Sequence, residues 1–231
     1  MSNLIWLASL LHTADSFYPT GGYAHSYGLE GLVHEGLVKD RESLRSFVLE
    51  SLLPSLAAVD LPLAAHAWQA FGEPPDWSGV ATLCELAVAV KPVKELRLAC
   101  ERVGRARLDL LSTLRPHPLS TAFAGYVREQ RLQTPAPVLA ALEARCIEAP
   151  LEAALAAVLY TTLSAVLSAA VKLLRMGQNA CHTLLVESLT VGAATFTQAT
   201  QRPIEEIGYF QPWWDVASAR HETADGRLFI S

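Results

Sequence analysis

The chain is expected to be all-α: one domain of about nine to eleven helices around a buried central apolar helix. Helical periodicity runs through most of its 231 residues, with no series of short alternating β-branched runs such as a sheet would need. Residues 153–171 carry no charge and, at about 1.5 Å per residue, are nearly long enough to cross a bilayer. Leu155, Leu159, Leu163 and Val166 nevertheless share one helical face, while Ala157, Thr161, Ser164 and Ser168 keep another side small, which is the asymmetry of a buried helix in close contact with others.

The first helix is expected from about Asn3 to His12, followed by an irregular stretch, 15–22, where Pro19 and the Gly21-Gly22 pair forbid regular structure. A short helix then runs to about Glu35. Asp40 is a suitable N-cap for the next helix, whose residues Leu44, Phe47, Val48 and Leu52 form an inward stripe. Pro54 is expected to interrupt that helix, and Pro62 to kink or restart the segment after it. The run 72–79 is a loop, with Ser78 able to cap the helix beyond it.

Between Pro92 and Leu114, the residues Val93, Leu96, Cys100, Val103, Leu110 and Leu114 keep heptad-like spacing. Two residues disturb this stripe. Gly104 costs about 1 kcal/mol relative to Ala, which suggests either a close backbone approach or simple tolerance. Arg107 stands where an apolar side chain belongs, so it is either buried with a carboxylate or directed to an interface. Pro116 and Pro118 end the helix, another covers roughly 119–131, and Pro135 and Pro137 mark a loop. The long apolar helix, a break near Met176-Gly177, a helix over about 179–199 and a polar tail complete the chain.

Composition narrows the function. The chain is 51% hydrophobic and 18% charged with a formal net charge of -5, and its mean hydropathy is +0.25. Such a charge attracts neither nucleic acid nor an anionic membrane, and the apolar surplus suggests surface that a partner covers. Cys84, Cys100, Cys146 and Cys181 form no CxxC pair, consistent with reduced thiols in a cytoplasmic protein. The first dozen residues lack the pattern of a secretory signal, so the expected location is the cytoplasm.

Three chemical readings fail on context. Ala24-His25-Ser26-Tyr27-Gly28 comes within one residue of the G-x-S-x-G nucleophile elbow, but a loop precedes it where the elbow needs a strand. No GK[ST] ends the glycine-rich stretch, so nucleotide hydrolysis is not expected. Cys181 and His182 are helical neighbours that diverge, so no metal site is assigned to them, and no cofactor is expected. A rival reading is a regulatory or nucleic-acid-binding helical module using Lys91, Lys94, Arg97, Arg102, Arg105 and Arg107, although Glu95 and Glu101 interleave with them as on a solvated face. Trp213 and Trp214, followed by Arg220-His221-Glu222 and Arg227-Leu228-Phe229-Ile230-Ser231, give the tail large anchors, so it is expected to dock on a partner or on the body of the protein itself.

Three separated blocks resemble the urease accessory protein UreF family. The first runs from Asp15-Ser-Phe-Tyr-Pro-Thr-Gly-Gly-Tyr23 through Ala-His-Ser-Tyr-Gly-Leu-Glu30, similar to the family's aromatic-Pro-x-Gly-Gly-aromatic and Ser-x-Gly-Leu-Glu. The second is Leu163-Ser-Ala-Val-Leu-Ser-Ala-Ala-Val-Lys-Leu-Leu-Arg-Met-Gly-Gln178, with Arg175-Met176 where the family usually has Pro-Leu. The third is His221-Glu222 with Arg227-Leu228-Phe229-Ile230-Ser231.

The resemblance implies a non-enzymatic helical scaffold, commonly a homodimer, that binds UreD (also called UreH) and recruits the GTPase UreG so that nickel enters apo-urease. Carried over onto this sequence, it implies partner-binding roles for Tyr23, His25, Ser26, Gly28 and Glu30, whose polar members would line or gate a route for the ion. It implies the same for Arg220, His221, Arg227, Leu228, Phe229 and Ser231, in a tail, 220–231, that engages UreD.

Overall fold

The computed structural model describes residues 4–231, and within them the chain forms eleven α-helices and no strand. The expected first residue of the opening helix, Asn3, lies outside the described residues. Helix α1 spans Ile5–Ala14, a 3-10 turn covers Gly22–Ala24, and α2 spans Leu29–His34.

Asp40 caps the next helix as expected, its carboxylate accepting from the Ser43 amide at 2.9 Å while the Ser43 hydroxyl accepts from the Asp40 amide at 3.1 Å. Helix α3 then runs unbroken over Arg41–Ala70, so neither Pro54 nor Pro62 interrupts it. Instead the helix widens into π turns at Val48–Leu52 and Leu56–Asp60, just ahead of each proline. A proline ring crowds the carbonyl four residues back and offers it no N–H; the i→i+5 spacing makes room for the ring without breaking the axis. The Ala58 carbonyl, four residues before Pro62, instead accepts from the Gly208 amide at 3.3 Å.

Helix α4 spans Trp77–Ala89 and is capped by Asp76, not Ser78; the Ser78 hydroxyl is itself donated to the Asp76 carboxylate at 2.7 Å. Helices α5 (Lys94–Leu114), α6 (Pro118–Gln130) and α7 (Ala136–Cys146) come next. The heptad stripe of α5 drifts after Arg107: Leu108 and Leu111 are buried, Leu114 is exposed and Leu110 is only half-buried. A straight helix with 3.6 residues per turn slips about 20° per heptad, so the outer positions rotate away from α7. Gly104 is a close-packing position. A Cβ there would overlap the Thr134 carbonyl oxygen and lie 2.9 Å from the Ala136 nitrogen, so the backbone entering α7 occupies the space of a side chain.

Helix α8 (Leu151–Leu173) buries Leu155, Leu159, Leu163 and Val166 completely or nearly so, as its asymmetry requires. It ends before Arg175, whose φ of +50° is one that a proline ring, fixed near −65°, could not adopt. Helices α9 (Gln178–Ala193) and α10 (Phe196–Gln201) replace the single helix expected over 179–199, the break falling where Thr195 turns its hydroxyl back onto the Gly192 carbonyl. The expected polar tail contains a further helix, α11 (Pro212–His221).

Among the described residues, the two larger of three apolar clusters share α3. One joins α2, α3, α8 and α9 with Trp214 and Phe229; the other joins α3 with α4 through α7. The third is a small one around Ala144, Ile147, Ala149 and Ala154. Helices α3 and α8 are long and apolar enough to cross a membrane, yet each is mostly covered by its neighbours.

Candidate functional site

The two chain-terminal blocks fold against each other. Gly28 starts α2 in the left-handed region at φ +83°, and a Cβ there would lie 2.5 Å from the Trp214 indole nitrogen; this position therefore needs glycine both for its backbone and for its space. Two residues on, Glu30 is fully buried. One of its carboxylate oxygens accepts from the Leu228 amide at 2.7 Å, and the other from the Phe229 amide at 3.0 Å and from His221 Nε2 at 2.8 Å. A buried carboxylate persists only when its lone pairs are met, and here the strap 222–231 supplies the donors.

His221 ends α11 with both ring nitrogens engaged. Its Nδ1 lies 2.8 Å from Glu95 Oε2 on α5, and the other oxygen of Glu95 accepts from Arg227 at 2.7 Å. Along the strap, the Ile230 amide donates to the Ala24 carbonyl at 2.9 Å, and the Ser231 carbonyl accepts from the Ser26 amide at 2.6 Å and the Ser26 hydroxyl at 2.7 Å. The Ser231 hydroxyl lies 2.9 Å from His25 Nδ1. Burial, with Arg102 adding to it, pulls His25 below the ordinary histidine value. The second block joins them, for Lys172 of α8 lies over the Phe229 ring at 5.5 Å.

Of the eleven residues carried over by resemblance, seven are covered by the chain itself: His25, Ser26, Gly28, Glu30, His221, Phe229 and Ser231. Tyr23, Arg220, Arg227 and Leu228 are exposed, Tyr23 and Leu228 each at 68%. The tail docks on the protein's own body and still shows Leu228 and Ile230 outward. Ser26 is buried and its hydroxyl is spent on Ser231. The basic patch is dispersed: Lys91 turns to Asp60, Lys94 to Glu222, Arg105 to Asp109 and Arg107 to Glu143.

A second buried network ties down the first block. Arg107 pairs with Glu143 of α7, whose other oxygen accepts from the Tyr18 hydroxyl at 2.9 Å. Burial, reinforced by the Glu143 carboxylate, raises Tyr18 well above an ordinary phenol. For the oddly placed Arg107 a buried carboxylate and an interface were both open, and the structure supplies the carboxylate. Glu143, the one acid in the apolar run of α7, could have been found by the same logic, whereas nothing local marks Glu95.

Between the two networks lies a cavity of about 200 Å³, where about 10–15 Å³ holds one water. His25, Tyr27, Asp60, Lys91, Asp215 and Ser231 are among its walls. Burial raises Tyr27 to about 12 and also raises Asp215. Asp60 and Lys91 meet across it at 3.0 Å. Among the described residues no group of three His, Cys, Asp or Glu side chains is placed to hold a metal ion.

The UreF family model matches residues 38–189, nearly two thirds of the chain. The chain belongs to the UreF family. Similarity to individual UreF proteins extends over both terminal blocks as well. The chain is 36% identical to the urease accessory protein UreF of Xanthobacter autotrophicus over 93% of its length and 86% of that protein. It is 34% identical to that of Azoarcus sp. over 99% and 97% of the two chains, and 27% identical to that of Bacillus sp. over 97% and 99%. The three blocks that resemble the family in sequence are thus the elements that meet here: the first supplies Glu30 and Ser26, the second Lys172, and the third the strap.

Proposed function

We propose that this chain is a urease maturation scaffold: a cytoplasmic, non-catalytic protein that binds UreD/UreH, recruits the GTPase UreG and so serves nickel insertion into apo-urease. The observation that carries this reading is the junction of the three UreF signature blocks, where the buried Glu30, His221 and Ser26 are turned inward to structure and an apolar rim is left facing out. Tyr23, Leu228 and Ile230 form that rim, with Ile230 held beside Tyr23 by its bond to Ala24. Arg220 and Arg227 flank it, and apolar anchors with charged neighbours give affinity and register together. The tail 220–231 is the docking segment, and its buried members, His221, Phe229 and Ser231, hold it in shape. The same argument covers self-association, for Ile5, Leu11 and Phe17 around α1 are exposed at 66%, 66% and 90%, an apolar surface suited to a dimer or a partner.

The cavity beneath the strap, with Asp60, Asp215 and His25 in its walls, supports a second part of the reading, that the ion passes through or beside this protein as cargo and not as a resident metal.

Leu228→Asp together with Tyr23→Asp is expected to abolish co-elution with UreD while leaving the circular dichroism spectrum unchanged. Deleting 222–231 should also abolish co-elution, and urease activation in cells should fail with either. Activation that persists without this chain overturns the proposal.

A further inference from the structure

We propose that the strap 222–231 is a proton-operated latch, seated while His221 carries a proton on both ring nitrogens and loosened when one is lost. The inference stands on the geometry of this chain and does not depend on what docks there. An ionised carboxylate only accepts hydrogen bonds, whereas a neutral imidazole donates from one nitrogen and presents a lone pair at the other. His221 has a carboxylate oxygen 2.8 Å from each nitrogen, Glu30 on one side and Glu95 on the other. Both contacts are attractive with the doubly protonated ring. With the neutral ring one of them sets a lone pair against an anion at that same distance.

Every charged group facing the ring bears on the strap. From α2 come Glu30 and also His34, whose ring stacks on His221 at 6.1 Å and whose Nε2 is 4.0 Å from Glu30. From α5 comes Glu95, next to Lys94, which is engaged with Glu222. On α11 itself Arg220 is paired with Glu35 at 3.0 Å, and from the strap Arg227 reaches Glu95. The same two carboxylates that hold the ring therefore hold the strap, Glu30 through the Leu228 and Phe229 amides and Glu95 through Arg227. Loss of one ring proton therefore strains one of these holds, whichever carboxylate faces the lone pair. The strap end carries Ser231, which lines the central cavity, so loosening it opens that wall as well as freeing Leu228 and Ile230.

The sign is fixed by the donors. Seating is favoured where the ring is doubly protonated and weakened where it is neutral, because only the doubly protonated ring can donate to both carboxylates. The test is amide hydrogen exchange of the Leu228, Phe229 and Ile230 amides in the full chain, expressed as protection relative to the unstructured peptide rate at each pH. Protection is expected to fall roughly tenfold or more from about pH 5.5 to about pH 8.5, the loss of one charge-assisted hydrogen bond. In Glu95→Gln the amide can donate to Nδ1 of a neutral ring, so strap protection, lowered at every pH by loss of the Arg227 ion pair, should no longer depend on pH. Nitrogen NMR of the His221 ring supplies an independent reading, in which both nitrogens are protonated at the acid end and titrate together with the strap amides. Protection that ignores pH in the unmodified chain, full pH dependence in Glu95→Gln, or a ring that titrates without any change in the strap would each overturn the latch.

Discussion

The segment around the first signature block is held at two points, and the two are built differently. At one end Tyr18 is tied to Glu143, which is paired with Arg107. At the other, Glu30 gathers the strap and His221, and Glu95 gathers His221 and Arg227. An arginine keeps its charge at any working pH, and Tyr18, its folded value raised by burial and Glu143, adds stability that is fully present below the ordinary tyrosine value of about 10 and lost only as pH climbs through the raised value. Burial pushes the Glu143 carboxyl up, against the pull of Arg107 and the Tyr18 hydroxyl, so the first network rests on a permanent cation and keeps its ion pair above that carboxyl's titration. The second has a titratable ring at its centre and holds a strap with exposed side chains. A hold centred on an arginine and one centred on a histidine thus flank the same cavity.

Removing a charge from the first network is the most severe way to break that contrast. Glu143→Ala leaves Arg107 buried without a counter-charge and should cost about 3–5 kcal/mol in denaturant unfolding. The double change Arg107→Met, Glu143→Leu should recover most of that loss, since a well-packed apolar pair often replaces a buried ion pair at no cost.

The second network should respond more locally. Glu30→Gln leaves an amide facing donors that a carboxylate had satisfied, a loss of about 1–3 kcal/mol, and it should appear first as lost exchange protection in the strap, with α3 and α8 unaffected. Gly28→Ala sharpens the same point through the backbone: a side chain at φ +83° against Trp214 is expected to cost about 1–3 kcal/mol and to shift the fluorescence of Trp214.

Outside both networks, the cap at Asp40 is the smallest effect. Its carboxyl is held below the usual carboxylate range by the Ser43 hydroxyl and amide, so its contribution is present above the unfolded value and lost as pH falls through the lowered one. Asp40→Ala should depress the melting temperature slightly at neutral pH, and the difference should vanish in acid. Equal sensitivity at both pH values would show that the cap is inert.

The difference between the networks also explains how unevenly they could be read beforehand. Arg107 in an apolar stripe is a local contradiction that calls for either a buried carboxylate or an interface, so one member of the first network stood out within a single helix. The second network has no such contradiction. Glu30 and His221 are 191 residues apart and look like ordinary members of signature blocks, and Glu95 looks like one more charge on a solvated face. The tail was expected to dock, yet which of its residues point inward depends on the path of the strap over α2, which no periodicity records.

By itself the sequence determined the all-helical class, the capped start of α3 at Asp40, the buried face of α8 and, through three separated blocks, membership of the UreF family. These rest on interactions within one helical turn or on patterns that repeat along one element. The tertiary structure alone decided that α3 continues through Pro54 and Pro62, that the heptad stripe of α5 is abandoned after Arg107, and that the chain ends close over a shared cavity. In the first and last of these the outcome turns on what a distant segment supplies: the Gly208 amide for a carbonyl that proline leaves without its donor, and the strap amides for the Glu30 carboxylate. Local propensity cannot contain a partner that only folding brings within reach.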